Sequence, residues 1–142
     1  MAILSKLVTL ERRISMFNKS YDEVINIIRT TLDSNHFTAA FLFGSYGTED
    51  FNDLSDIDIA VLTDLGYCEI KEYQDRLEQE LDIEVDLVNA EELPMIFQLQ
   101  ITNRSCILFC KDEEILNDFY DRTEFYYKTD YRIWKAWQEE EW

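Results

Sequence analysis

The sequence predicts an α/β (α+β) fold, a small mixed sheet backed by helices. Apolar runs of strand length at 38–43, 56–62, 83–88 and 106–110 alternate with segments of helical periodicity, giving the order α-β-β-α-β-α-β-α. The 142 residues suit one domain with a real core, and 46% apolar content excludes a globally disordered chain. With three glycines and one proline, there is little room for long flexible linkers.

Each element has its own signal. Ile3, Leu7, Leu10, Ile14 and Phe17 recur at helical spacing in a locally basic segment, read as an N-terminal helical extension over 1–19. The remaining residues, 20–142, form the main domain. Ser20 followed by Glu23 is a capping-box pattern that starts a helix running to Ser34, with Val24, Ile27 and Ile28 on its apolar face. Thr38–Phe43 is the first strand and Asp56–Leu62 the second. Glu69–Leu81 is a charged helix with a narrow apolar stripe, and Ile83–Val88 is the third strand. Glu91–Thr102 is a helix that tolerates Pro94 in its first turn. Cys106–Cys110 is a short strand, and a long aromatic-rich helix runs from Asp112 to Trp142 with a break near Thr129.

Between the first two strands lies the run that carries chemistry. Gly44-Ser45 is followed, after ten residues, by Asp56-Ile57-Asp58. In a strand, residues two apart share a face, so Asp56 and Asp58 present adjacent carboxylates. Such a pair within an apolar segment is costly to desolvate and self-repelling. A divalent cation relieves both costs, and Mg²⁺ binds through one or two carboxylates plus substrate phosphates. Glycine lets the backbone approach a phosphate closely, and the Ser45 hydroxyl is a donor to phosphate oxygens. Asp86, in the apolar centre of the third strand, supplies a third carboxylate.

Gly-Ser, ten residues, Asp-x-Asp and a later strand acid resemble the signature of minimal nucleotidyltransferases of the polymerase-beta-like superfamily. The resemblance spans roughly residues 20–110. Ser55-Asp-Ile-Asp-Ile-Ala-Val-Leu62 and Val85-Asp-Leu-Val88 resemble, more narrowly, the MntA-type antitoxins of HEPN–MNT toxin–antitoxin pairs. The resemblance implies a Mg²⁺-dependent enzyme that transfers AMP from ATP to a tyrosine hydroxyl of a cognate HEPN toxin. Asp56, Asp58 and Asp86 would be catalytic and would hold two metal ions, with ATP on Gly44 and Ser45. Two positions depart from the family pattern. Glu49 and Asp50 stand where a small residue is usual, with Gly47 available for that turn, and Arg104-Ser105 replace a glycine before the last strand.

Rival readings are weighed on the same residues. Adenylylation of an aminoglycoside-type small molecule usually needs an added helical domain, for which there is little room. A non-catalytic acidic antitoxin could sheathe a basic toxin, but that role does not need the three carboxylates. Arg29 and His36 match the Arg-His spacing of HEPN ribonucleases, whose helical bundles the strand signals contradict. Net charge −17 repels phosphate backbones, excluding a nucleic-acid partner. Cys68, Cys106 and Cys110 form neither a disulfide framework nor a zinc motif. The absence of a membrane-length apolar run or a signal peptide leads to a cytoplasmic expectation. Trp134, Trp137 and Trp142 exceed what a helix end buries and are expected to mark a partner surface.

Overall fold

A computed structural model of the chain describes residues 19–44, 46–47, 49 and 56–140, the side chains of 137 and 140 excepted. The expected 3–17 helix, Ser45, Asp50 and Trp142 therefore lie outside the described residues. Four strands, β1 (Phe37–Phe43), β2 (Ile57–Thr63), β3 (Val85–Asn89) and β4 (Cys106–Cys110), form one sheet in the order β3-β2-β1-β4. β1 is antiparallel to both β2 and β4, whereas β2 and β3 are parallel, so the sheet is mixed as the sequence predicts.

Strand alternation sorts the apolar residues onto two faces. Ala40, Leu42, Ile57, Ile59, Val61, Val85 and Leu87 pack against α1 (Tyr21–Thr31) and α2 (Tyr67–Leu81). Ala39, Phe41, Ala60 and Leu62 face α3 (Met95–Arg104) and α4 (Glu113–Tyr126) through Ile101, Leu116 and Phe119. Phe41 and Phe119 are fully buried with ring centroids 5.7 Å apart. Each edge strand is bonded by a helix side chain. Arg29 Nε donates to Leu108 O on β4 at 2.8 Å, and Leu87 N on β3 donates to Gln74 Oε1 at 3.1 Å.

Helix starts follow their capping chemistry. Ser20 Oγ accepts from Glu23 N at 3.2 Å, and Asp112 Oδ1 accepts from Glu114 N at 3.0 Å. The predicted helix from Glu91 fails at Pro94. Leu93, preceding proline, is held extended at φ −74°, ψ 153°, so residues 90–92 form a separate 3-10 turn and α3 starts at Met95. Buried Gln98 secures this junction by donating from Nε2 to Leu93 O at 2.8 Å and Glu91 O at 3.2 Å. Near Thr129 the long helix does not break. It widens into a π-helical segment, Tyr127–Tyr131, and continues as α5 (Arg132–Glu140).

Candidate active site

The site is built where three strand ends meet. In β2, Asp58 pairs with Phe43 of β1 on one side and with Asp86 of β3 on the other. The parallel β2–β3 register thus sets two carboxylates level on adjacent strands. Asp58 alternates with Ile57 and Ile59, sharing the α3/α4 face with Ala60 and Leu62. Asp86 alternates with Val85 and Leu87 and shares that face with Val88. Asp86 is exposed, on an edge strand, and Asp58 is half-buried. The predicted strand start shifts by one residue. Asp56 lies just ahead of β2, which begins where Ile57 N donates to Glu84 O at 3.1 Å.

The carboxylates act on one another electrostatically. Burial, then the Asp86 charge and then the Asp56 charge push the Asp58 carboxyl up to about 6. All three sequence-predicted acids are thus within electrostatic reach of one point. Gly44, directly after β1, adopts φ +77°, and a Cβ there would collide with the Asp58 carboxylate, whose Cγ would be 3.1 Å away. Only glycine leaves that space open beside the acids.

The turn after Gly44 is pinned by residues that the sequence motif does not include. Tyr21 of α1 stacks on Tyr46 at 5.6 Å. Gly47 adopts φ +84° with no room for a Cβ, because Tyr21 Cε2 would lie 2.9 Å from it. Gly47 therefore serves this turn, as its position in the sequence suggests. Burial and then the neighbouring Tyr21 push the Tyr46 hydroxyl up to about 12. An aromatic residue between two turn glycines was the available signal, but its partner lies far back in the chain.

The remaining sequence candidates have structural partners. His36 Nδ1 lies 3.1 Å from Asp64 Oδ1 in the turn before β1, whereas Arg29 bonds the β4 edge, so the two do not form a shared site. The three cysteines are free thiols. Among the described residues, no three His, Cys, Asp or Glu side chains converge closely enough to hold a metal alone. The oxygen-only donors still suit a hard cation that takes its other ligands from substrate phosphates and water. The carboxyl crowding at Asp58 and the space kept clear by Gly44 fit that arrangement.

Residues 26–114 match the family described as polymerase beta, nucleotidyltransferase. The chain belongs to this family. No curated protein matches the nucleotidyltransferase in sequence. Among solved structures it is similar to a chain of a toxin–antitoxin crystal structure with AMP-PNP, at 26% identity and TM-score 0.69. That match covers 82% of this chain and 96% of the other. A chain of the tri-AMPylated Shewanella oneidensis HEPN toxin in complex with MNT antitoxin is 23% identical, with TM-score 0.62. Coverage there is 91% of this nucleotidyltransferase and 97% of the other chain. A chain of the toxin–antitoxin MntA-HepT has TM-score 0.60 at 23% identity, covering 84% and 93%. Among the described residues no helix is long and apolar enough to cross a membrane.

Proposed function

We propose that this nucleotidyltransferase is an antitoxin that transfers AMP from ATP to a tyrosine hydroxyl of a HEPN toxin. The observation that carries the reading is the level pairing of Asp58 with Asp86 beside Gly44. The likeness to a toxin–antitoxin with AMP-PNP supports the nucleotide and the partner class.

In this reading Gly44 admits the triphosphate against the end of β1, and Ser45 donates a hydrogen bond to a phosphate oxygen. Asp56, Asp58 and Asp86 would hold divalent ions, Mg²⁺ by donor chemistry, and these would supply charge neutralisation on the triphosphate. Asp86, exposed at the sheet edge, faces the incoming acceptor and takes the proton of the tyrosine hydroxyl. The tyrosine oxygen then bonds to the α-phosphorus as the bond from that phosphorus to the bridging oxygen breaks. Pyrophosphate leaves. The chain's own contribution is positioning and electrostatic complementarity, as in phosphoryl transfer generally.

The test is incubation of the purified protein with ATP, Mg²⁺ and the product of its neighbouring gene. Peptide mass mapping should find AMP on a toxin tyrosine. A toxin left unmodified by folded protein would count against the reading.

A further inference from the structure

A groove of about 530 Å³ lies between α3 and the C-terminal helix, and its lining runs against the charge of the molecule. The protein carries thirty acidic and thirteen basic residues, so most cations have a carboxylate or other partner within reach. Lys111, Arg122 and Lys128 pair with Asp33, Glu91 and Glu124. Arg29 bonds a backbone oxygen, and Lys71 and Arg76 sit over tyrosine rings. Of the other four described cations, Lys19, Arg104, Arg132 and Lys135 have no such partner among the described residues, and all of these but Lys19 line this groove.

The rest of the lining adds flat and apolar surface. Tyr127 and Tyr131 stack at 5.7 Å with planes 28° apart, and buried Leu99 is part of the lining. Glu139 is the one acidic residue of the lining. We propose that this groove binds a nucleoside phosphate, separately from the carboxylate cluster. Guanidinium groups match phosphate oxygens in paired geometry, and stacked phenol rings offer a face to a base. The volume falls in the range of small-molecule sites. The field of a −17 chain disfavours a longer polyanion, such as an acidic peptide or RNA, which would run beyond the groove onto acidic surface. Arg104 ends α3 one residue before β4, whose Cys106 pairs with Leu42 near the end of β1. Arg104 therefore lies near the end of the sheet that carries Asp58.

The inference does not depend on the proposed transfer activity, and the test keeps them apart. Calorimetric titration of AMP into the full chain with EDTA present leaves the carboxylates without metal. The expected result is saturable one-site binding that weakens with salt. Arg104→Ala, Arg132→Ala and Lys135→Ala should each lower affinity about tenfold or more. Arg132→Lys should recover part of the loss, and inorganic phosphate should bind about tenfold more weakly than AMP because it leaves the rings uncovered. These side chains are exposed, and unchanged melting of each variant would confirm folding. The proposal is overturned if AMP does not saturate, if the three variants bind it like wild type, or if phosphate binds as tightly.

Discussion

Replacing Gly44 with alanine tests the geometry of the site at one atom. The backbone at Gly44 has φ +77°, where an L side chain costs about 1–2 kcal/mol. The added Cβ also collides with Asp58, and moving that carboxylate brings the total to roughly 1–3 kcal/mol. For a domain of this size, that cost lowers the melting temperature by about 2–8 °C. A displacement of about 1 Å at Asp58 should lower AMP transfer on the order of a hundredfold. Two sister variants separate strain from chemistry. Gly47→Ala carries similar backbone strain at φ +84° but meets only the ring edge of Tyr21, so it should melt early with a smaller loss of transfer. Gly66→Ala meets nothing within 4 Å and should stay within about 1 kcal/mol of wild type. Melting by circular dichroism and transfer by radiolabelled ATP are the assays. If Gly44→Ala melted and transferred like Gly66→Ala, the close approach of Gly44 to Asp58 would be wrong.

Asp58, raised to about 6 from 3.8, holds its proton more tightly folded than unfolded. Its contribution to stability is therefore fully present below about pH 4 and lost as pH rises through about 6. In EDTA, Asp58→Asn should melt above wild type at about pH 8 and converge with it below about pH 4, and Mg²⁺ should close the gap by raising wild type alone. Melting curves across that range decide it, and a variant less stable at high pH would contradict the crowding of the three acids. Tyr21→Ala should cost about 0.5–1.5 kcal/mol from the stack with Tyr46 and weaken ATP binding, whereas Tyr21→Phe should preserve both. Equal ATP affinity in the Ala and Phe variants, read by calorimetry, would remove the stack from any role in the turn. Phe119→Ala should destabilise by about 3–5 kcal/mol, because its ring is fully buried against Phe41. Denaturant unfolding should register this loss.

The strands and most helices were legible because apolar periodicity reports burial directly. Ile57, Ile59 and Val61 alternate with Ala60 and Leu62 because β2 is central and covered on both faces. Gly44, Asp58 and Asp86 were legible as residues, but the level pairing of the two acids depends on a parallel register that no local pattern encodes. The helical pattern places Pro94 inside a first turn, but its effect on Leu93 instead delays the helix to Met95. The sequence predicts a break near Thr129, and the structure has a change of helix type there instead. A π-helical turn keeps the helix continuous while shifting the phase of its side chains. Thr129 Oγ1 donates to Phe125 O at 2.7 Å within that stretch. The Tyr21–Tyr46 stack and the groove cations come together only in the folded chain. Exposed Trp134 agrees with the expected surplus of aromatic surface near the C-terminus.

The mass of a candidate HEPN toxin partner after incubation with ATP and this protein tests the central claim most directly. The account predicts AMP on a toxin tyrosine with wild type, and toxin that stays inactive once this protein is removed. It predicts neither modification nor lasting inactivation with Asp58→Asn/Asp86→Asn, although that variant should fold and still bind the toxin. Full protection by the folded double variant, with no change in toxin mass, would contradict the enzymatic account.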